Sequence, residues 1–268
     1  MDDKYSVLMS VYYKEKPEYL QQSIESILNQ MVPTDDFVLV CDGPLTSELD
    51  SVIAKYSTLH VVRLKENGGL GRALNEGMKY CQHDLIARMD SDDISRPDRC
   101  ERELAVFSNH PEVDIVSGTI EEFITSPDEV YSRRVLPETS EEITQFAKKR
   151  NPFNHPAVMY RKSAVEAAGG YKDFYLLEDY FLWVRMLLNG SKGYNIQEPV
   201  LWMRAGSDLY GRRGGSKYVT SEKKLFSYML NTGFINKNEY YQAVTSRAVG
   251  AMVPNWVREL LYKKVLRK

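Results

Sequence analysis

Three carboxylates crowd into four residues at Asp90-Ser91-Asp92-Asp93, directly after the apolar run 84–89. Like charges this close repel one another, so the arrangement favours a site where a cation compensates them. Hard divalent ions such as magnesium and manganese prefer carboxylate and phosphate oxygens together. An Asp-x-Asp at the end of a strand can therefore hold an ion that in turn grips a diphosphate. A solvated acidic turn capping the helix near Pro97 is the plainer alternative. A second acidic pair, Glu178-Asp179, opens an apolar helical stretch. There it would either cap the helix N-terminus or offer a general base beside the helix dipole. Arg204, Arg212 and Arg213 fall around Gly211-Arg212-Arg213-Gly214-Gly215. Guanidinium groups grip phosphate through two parallel hydrogen bonds, and glycines let a loop close, so a lid over a phosphorylated ligand competes with a basic surface loop. His155, with Asn151 and Asn154 before it, is a further candidate for metal or substrate contact, against the commoner packed histidine.

These groups need elements to hold them. Residues 6–11, 37–41, 59–64, 84–89 and 113–117 are apolar runs of strand length. Helical spacing separates the first four: Leu20, Ile24, Ile27 and Leu28 after Pro17, then Leu70, Ala73, Leu74, Gly77 and Met78 after Asn67-Gly68-Gly69. Strands joined by helix-length crossovers imply a mostly parallel sheet, and ligands of such sheets sit beyond the carboxyl ends of the strands. Asp42, Asn67 and Asp90 all fall just after predicted strand ends, which points to one shared site. The second half is less regular: a short strand at 157–160, a helix over 181–188, and helical pattern from Ser216 with a turn near Asn231-Thr232-Gly233 and a break at Pro254.

The length suits one large α/β domain or one domain plus a helical appendage, and the pattern along the chain points to a single domain with a helical tail. A net charge of -2 argues against a nucleic-acid partner. The three cysteines, Cys41, Cys81 and Cys100, lack metal-ligand spacing and read as reduced core thiols. No stretch approaches the roughly 18 apolar residues needed to span a bilayer. The expected location is the cytoplasm, with the inner face of the membrane as an extension of it. The tail 254–268 sets Trp256, Val257, Leu260, Leu261 and Leu266 against Arg258, Lys263, Lys264, Arg267 and Lys268. A basic amphipathic helix of this kind either lies on an anionic membrane or packs on the core with a solvated face.

Five segments in order resemble the family 2 glycosyltransferases of GT-A fold. They are the opening strand Ser6-Val7-Leu8-Met9-Ser10-Val11-Tyr12-Tyr13, the Asp42-Gly43 turn, and Asn67-Gly68-Gly69-Leu70-Gly71-Arg72-Ala73-Leu74-Asn75-Glu76-Gly77. Asp90-Ser91-Asp92 and Glu178-Asp179 before Leu182-Trp183 complete the set. The resemblance implies a GT-A catalytic domain over 1–215, with a nucleotide-binding half at about 1–118 and an acceptor half at about 119–215, then a C-terminal helical extension at 216–268. It implies that Asp42 meets the nucleotide base, beside a wall carrying Tyr12 and Glu15, and that Asn67, Gly69 and Arg72 lie along the donor. Asp90 would approach ribose and metal, Asp92 would be the principal metal ligand, and His155 is a third metal candidate. Arg72 departs from the family's Ala-Arg-Asn by two positions, a turn of about 200° on a helix, so it cannot simply inherit that arginine's role. Asp179 would be the catalytic base of an inverting displacement, with Glu178 as its rival.

The expected cofactor is Mn2+ or Mg2+. The expected partners are a nucleotide-sugar donor, UDP-linked by resemblance, and a glycan or lipid-linked saccharide acceptor of a bacterial surface polysaccharide. Two other readings stand beside this one. A non-catalytic nucleotide-sugar or glycan-binding module would not need the Glu178-Asp179 pair. A sugar nucleotidyltransferase would carry a glycine-rich phosphate loop after its first strand, where this chain has Tyr12-Tyr13-Lys14-Glu15 and no glycine before Gly43.

Overall fold

The apolar runs of the first ninety residues become buried parallel strands, as their near-continuous hydrophobicity requires. They are β1 (Ser6–Val11), β2 (Asp36–Cys41), β3 (Leu59–Arg63) and β4 (Leu85–Asp90), placed in the order 3-2-1-4. The crossovers are α1 (Pro17–Leu28), α2 (Ser47–Ile53) and α3 (Leu70–Met78). The computed structural model describes residues 4–205 and 216–252. The arginines expected in a lid, Arg212 and Arg213, and the basic tail 254–268 lie outside the described residues.

Alternation along each strand divides the core into two layers. Val7, Met9, Leu39, Ala87 and Met89 face α1, α2 and the later helix α4 (Arg99–Asn109), meeting Leu20, Ile24, Ile27, Leu49 and Phe107. Leu8, Val38, Val40 and Ile86 face the opposite way, onto Ala73, Leu74 and Met78 of α3 and onto Leu182, Trp183 and Met186 of α7 (Glu178–Leu188). Gly77 lets α3 come close to the sheet, since an added Cβ would lie 2.4 Å from Leu8 Cδ1 and 2.5 Å from Val40 Cγ2.

After β4 the sheet continues through β5 (Ile94–Ser95), β6 (Val113–Phe123), β7 (Val130–Arg134), β8 (Met159–Arg161) and β9 (Lys192–Arg204). The path runs β3-β2-β1-β4-β8-β6-β9-β5, with β7 paired to β6. Six strands point one way, and β5, β7 and β8 run against them. The α/β architecture is that of the GT-A fold: a mostly parallel sheet flanked by helices. Two short helices, α5 (Ser140–Ala147) and α6 (Lys162–Ala167), complete this part, and α8 (Ser216–Asn231) and α9 (Lys237–Met252) follow it.

Three features differ from the sequence expectation. The strand expected at 113–117 runs on to Phe123, because its two glutamates are provided for. Glu121 accepts from Arg96 and Arg133, and Glu122 accepts from the Tyr131 hydroxyl at 3.0 Å. β9 was not anticipated, since Gln197-Glu198-Pro199 interrupts its apolar pattern. That interruption is a bulge: Gly118 pairs with Ile196 and Thr119 with Pro199, so the proline sits where the ladder is already broken. The strand expected at 157–160 is shorter and begins at Met159, because Pro156 holds His155–Ala157 in a single 3₁₀ turn.

The last layer packs against the outer face of α7. Leu177, Tyr180 and Val184 meet Leu225, Phe226 and Met229 of α8 and Ala243 of α9. Arg247 of α9 pairs with Glu222 at 2.9 Å and donates to the Lys149 carbonyl at the end of α5 at 2.5 Å. Among the described residues no helix is long and apolar enough to cross a membrane.

Candidate functional site

Beyond the carboxyl ends of β1, β2 and β4 opens a cleft of about 790 Å³. It brings together eight residues singled out in the sequence: Tyr12, Glu15, Asp42, Asn67, Gly69, Asp90, Asp92 and Arg204. Arg72 and Glu178 line an adjoining cavity of about 310 Å³, which shares Gly69 and Leu70 with the cleft. Asp179 lines neither of these two cavities.

Asp42 is buried, and its two oxygens accept the Gly68 and Gly69 N–H groups at 2.8 and 2.9 Å. The Asn67 amide donates to the Asp42 carbonyl at 3.2 Å. This acid therefore shapes the loop that opens α3. Gly43, at φ +86°, makes the close approach possible, since an added Cβ would stand 2.6 Å from the Asn67 nitrogen. Glu15 is held by the Ser91 hydroxyl at 2.6 Å, which ties the β1–α1 loop to the acid segment.

Asp90, Asp92 and Asp93 place one carboxylate oxygen each within 4.8 Å of the others. Burial, then the charges of Asp90 and Glu15, push Asp92 up to about 7. Asp93 is raised by burial and by Asp92 and Asp90. Crowding of this kind, with hard oxygen donors only and a single guanidinium, that of Arg88, paired to Asp90, fits a divalent cation. His155 is not part of the group. Its Nε2 lies 2.9 Å from the Tyr171 hydroxyl beneath the cleft, and burial and the Arg88 charge keep it neutral.

The segment carrying the acids is fixed from both sides. Arg204, at the end of β9, donates its backbone N–H to Asp93 at 2.7 Å and its Nε to the Asp92 carbonyl at 3.0 Å, with its guanidinium between Tyr19 and Phe123. Arg99, wholly buried, donates to the carbonyls of Arg88, Val158 and Pro156 and pairs with Glu103 at 3.0 Å. This joins the end of β4 to the His155 turn.

α7 brings the second acidic pair. Leu176, the one non-glycine with positive φ among the described residues, turns the chain into it. Asp179 accepts from the Asn151 amide at 2.6 Å and from the Tyr180 N–H. Burial, then the Asp179 charge, push Glu178 up to about 7, and Asp90 adds to the rise. Asn75 of α3 binds both backbone groups of Tyr171 at 2.8 Å, which docks this wall onto the Gly68–Gly69 loop. Arg88 and Tyr171 were not found from sequence, and Asn151 was noted only as a polar neighbour of His155, not as the partner of Asp179. For Arg88 a signal was present: on a strand it shares a face with Asp90, two residues on.

The profile described as Glycosyl transferase family 2 matches residues 6–168. The chain belongs to that family. Relatives named as glycosyltransferases cover nearly all of it. It is 38% identical to the Escherichia coli UDP-Gal:alpha-D-GlcNAc-diphosphoundecaprenol beta-1,3-galactosyltransferase, across 99% of this chain and 97% of that protein. It is 39% identical to the amylovoran biosynthesis glycosyltransferase AmsE of Erwinia amylovora, across 97% and 98%. Among solved structures, S. aureus TarS 1-349 in complex with UDP-GlcNAc superimposes with a TM-score of 0.71, at 16% identity, over 97% of this chain and 81% of that one. The mannosyltransferase PcManGT from Pyrobaculum calidifontis, in complex with GDP-Man and Mn2+, gives 0.66 at 15% identity, over 96% and 72%. As a family 2 protein the chain is a glycosyltransferase.

Proposed function

We propose that the enzyme transfers a hexose, with inversion, from a UDP-sugar to a hydroxyl of a polyprenyl-diphosphate-linked saccharide, using Mn2+ or Mg2+. The observation that carries this is the adjacency of two carboxylate groups: the acid triplet at the end of β4 beside the larger cleft, and Glu178, followed by Asp179, at the start of α7 on the adjoining cavity that shares Gly69 and Leu70 with it. The E. coli relative's name gives a UDP-linked donor and a diphosphoundecaprenol acceptor, and the identity to it spans almost the whole chain. These support the choice of donor and acceptor class.

In this reading the uridine lies against Tyr12 and the Asp42-shaped loop. Asp90, Asp92 and Asp93 would hold the divalent ion, which when bound supplies Lewis-acid neutralisation of the departing diphosphate. Lys14 and Lys16 line the same cleft and add positive charge near its mouth. Asp179, already oriented by Asn151, takes the proton from the acceptor hydroxyl as that oxygen attacks the anomeric carbon and the bond to the diphosphate breaks. An in-line attack of this kind inverts the anomeric centre. Glu178 is the neighbouring carboxyl whose protonation near neutrality keeps the pair from carrying two full charges. The enzyme would act on the cytoplasmic side, with the basic tail 254–268 serving at the membrane surface.

The test is a screen of UDP-hexoses with a short-chain GlcNAc-diphospholipid acceptor, read by released UDP and by product anomeric configuration. Transfer with inversion that stops on chelation and resumes with Mn2+ is the expected result. Retained configuration would remove the single displacement, and full activity in excess chelator would remove the metal.

A further inference from the structure

Arg88 is a cation with 1% of its side chain exposed. Burying such a charge is costly unless it is paired and hydrogen-bonded. Only part of its guanidinium is provided for. Nη2 donates to Asp90 Oδ1, whereas Nε and Nη1 have no partner within the described protein. A buried strand residue with Tyr160 and Tyr171 within range of its charge could have been apolar, since well-packed apolar groups commonly replace buried ion pairs without penalty. The charge therefore asks for a reason outside stability.

Its position supplies one. Ile86, Arg88 and Asp90 share one face of β4, so the guanidinium sits directly beneath the first acid of the triplet. Tyr160, Tyr171, His155 and Glu178 also lie within range of its charge, and Tyr171 and Glu178 line the second cavity. Arg88 thus touches one carboxylate group and lies within charge range of the other.

We infer that Arg88 is a positioning residue: it fixes the Asp90 carboxylate toward the cleft and so joins the cation-holding acids to the α7 end of the site. This rests on Asp90 belonging to the cation site. Asp90 is about one-third exposed and free to turn toward solvent without its partner. A carboxylate that helps hold a metal is typically oriented by such an outer partner, whose loss weakens binding by roughly 10–100-fold.

The experiment is a double-mutant cycle in the full-length enzyme, with Mn2+-dependent UDP binding measured by calorimetry and Tm measured alongside. Arg88→Met is expected to weaken Mn2+-dependent UDP binding by roughly 10–100-fold with little change in Tm. Asp90→Asn weakens it too, and the double variant is expected to be no weaker than Asp90→Asn alone. Losses that simply add, or an unchanged affinity in Arg88→Met, would overturn the inference. If Arg88→Met does not fold, Arg88→Lys enters the same cycle, because it keeps the charge but loses the planar fork. Wild-type protein that binds UDP equally with and without Mn2+ would instead remove the cation site, and the inference with it.

Discussion

The two walls of the cleft are built by opposite strategies. The nucleotide side is delivered by consecutive parallel strands within the first 93 residues, and its acids are tied down at once. Asp42 takes two backbone N–H groups, Glu15 a hydroxyl, and Asp93 the Arg204 N–H. The wall opposite is gathered from distant pieces: Asn151, the His155 turn, Tyr171 and α7. Among the described residues no other residue donates a hydrogen bond to the Glu178 carboxyl, which is pushed up to about 7. α7 itself leans on the two helices that follow the sheet. Both sides carry raised carboxyls, Asp92 and Asp93 on one and Glu178 on the other, but the first sits on a segment bonded from both sides and the second on a helix that depends on a brace.

The largest effect should come from the second wall's acids. Asp179→Asn is expected to lower kcat by about 10²–10⁴-fold with donor KM nearly unchanged, since a general base acts in the transition state. Glu178→Gln should cost far less. Steady-state kinetics of the two variants decide the assignment. If Glu178→Gln carries the larger loss, the base is Glu178 and Asp179 is an anchor.

Next is the brace. Phe226 is buried between α7 and α9, where Arg247 stacks on its ring. Phe226→Ala should cost about 3–5 kcal/mol of stability. If the two walls are as separate as the packing suggests, kcat falls while Mn2+-dependent UDP affinity holds. A parallel loss of UDP affinity would mean that the brace supports both walls, and the contrast drawn above would be wrong.

The same contrast explains how far the sequence could be read. The nucleotide side was legible because local signals coincide there: buried apolar runs, glycine breaks and acids immediately after strand ends. Even the strand bounds came within a residue or two. The other wall obeys tertiary terms that leave no periodic trace. β9 looks broken at Pro199 because the bulge that accommodates it is defined by β6, more than seventy residues away. The polar stretch at Glu121-Glu122 reads as loop unless the guanidinium groups of Arg96 and Arg133 are known to reach it. Asn151 gains meaning only once α7 presents Asp179 to it. Asp42 shows the reverse case, with its position evident but the two glycine N–H groups that hold it in place hidden.

A smaller effect should follow from loosening the nucleotide side. Asp42→Asn leaves one of the two glycine N–H groups facing an amide donor, and a hydrogen bond to a charged group is worth about 1.5–3 kcal/mol. Donor KM should rise by roughly tenfold or more, with kcat little changed. Kinetics with varied donor would test this. An unchanged KM would mean the loop keeps its shape without the carboxylate.

The smallest effect probes the raised Glu178 carboxyl directly, in the metal-free protein. The folded-state pKa of Glu178 is raised from an ordinary 4.5 to about 7, chiefly by burial and then by Asp179. The folded state therefore binds this proton more tightly than the unfolded chain does. Stability contributed by the protonated form is fully present below about pH 4.5 and is lost as pH rises toward 7. Glu178→Gln has no such slope. The Tm of the variant relative to wild type should increase from pH 5 to pH 8, the pattern expected where function holds a destabilising group in place. A Tm difference that stays constant over this range would show that Glu178 is not strained in the folded enzyme.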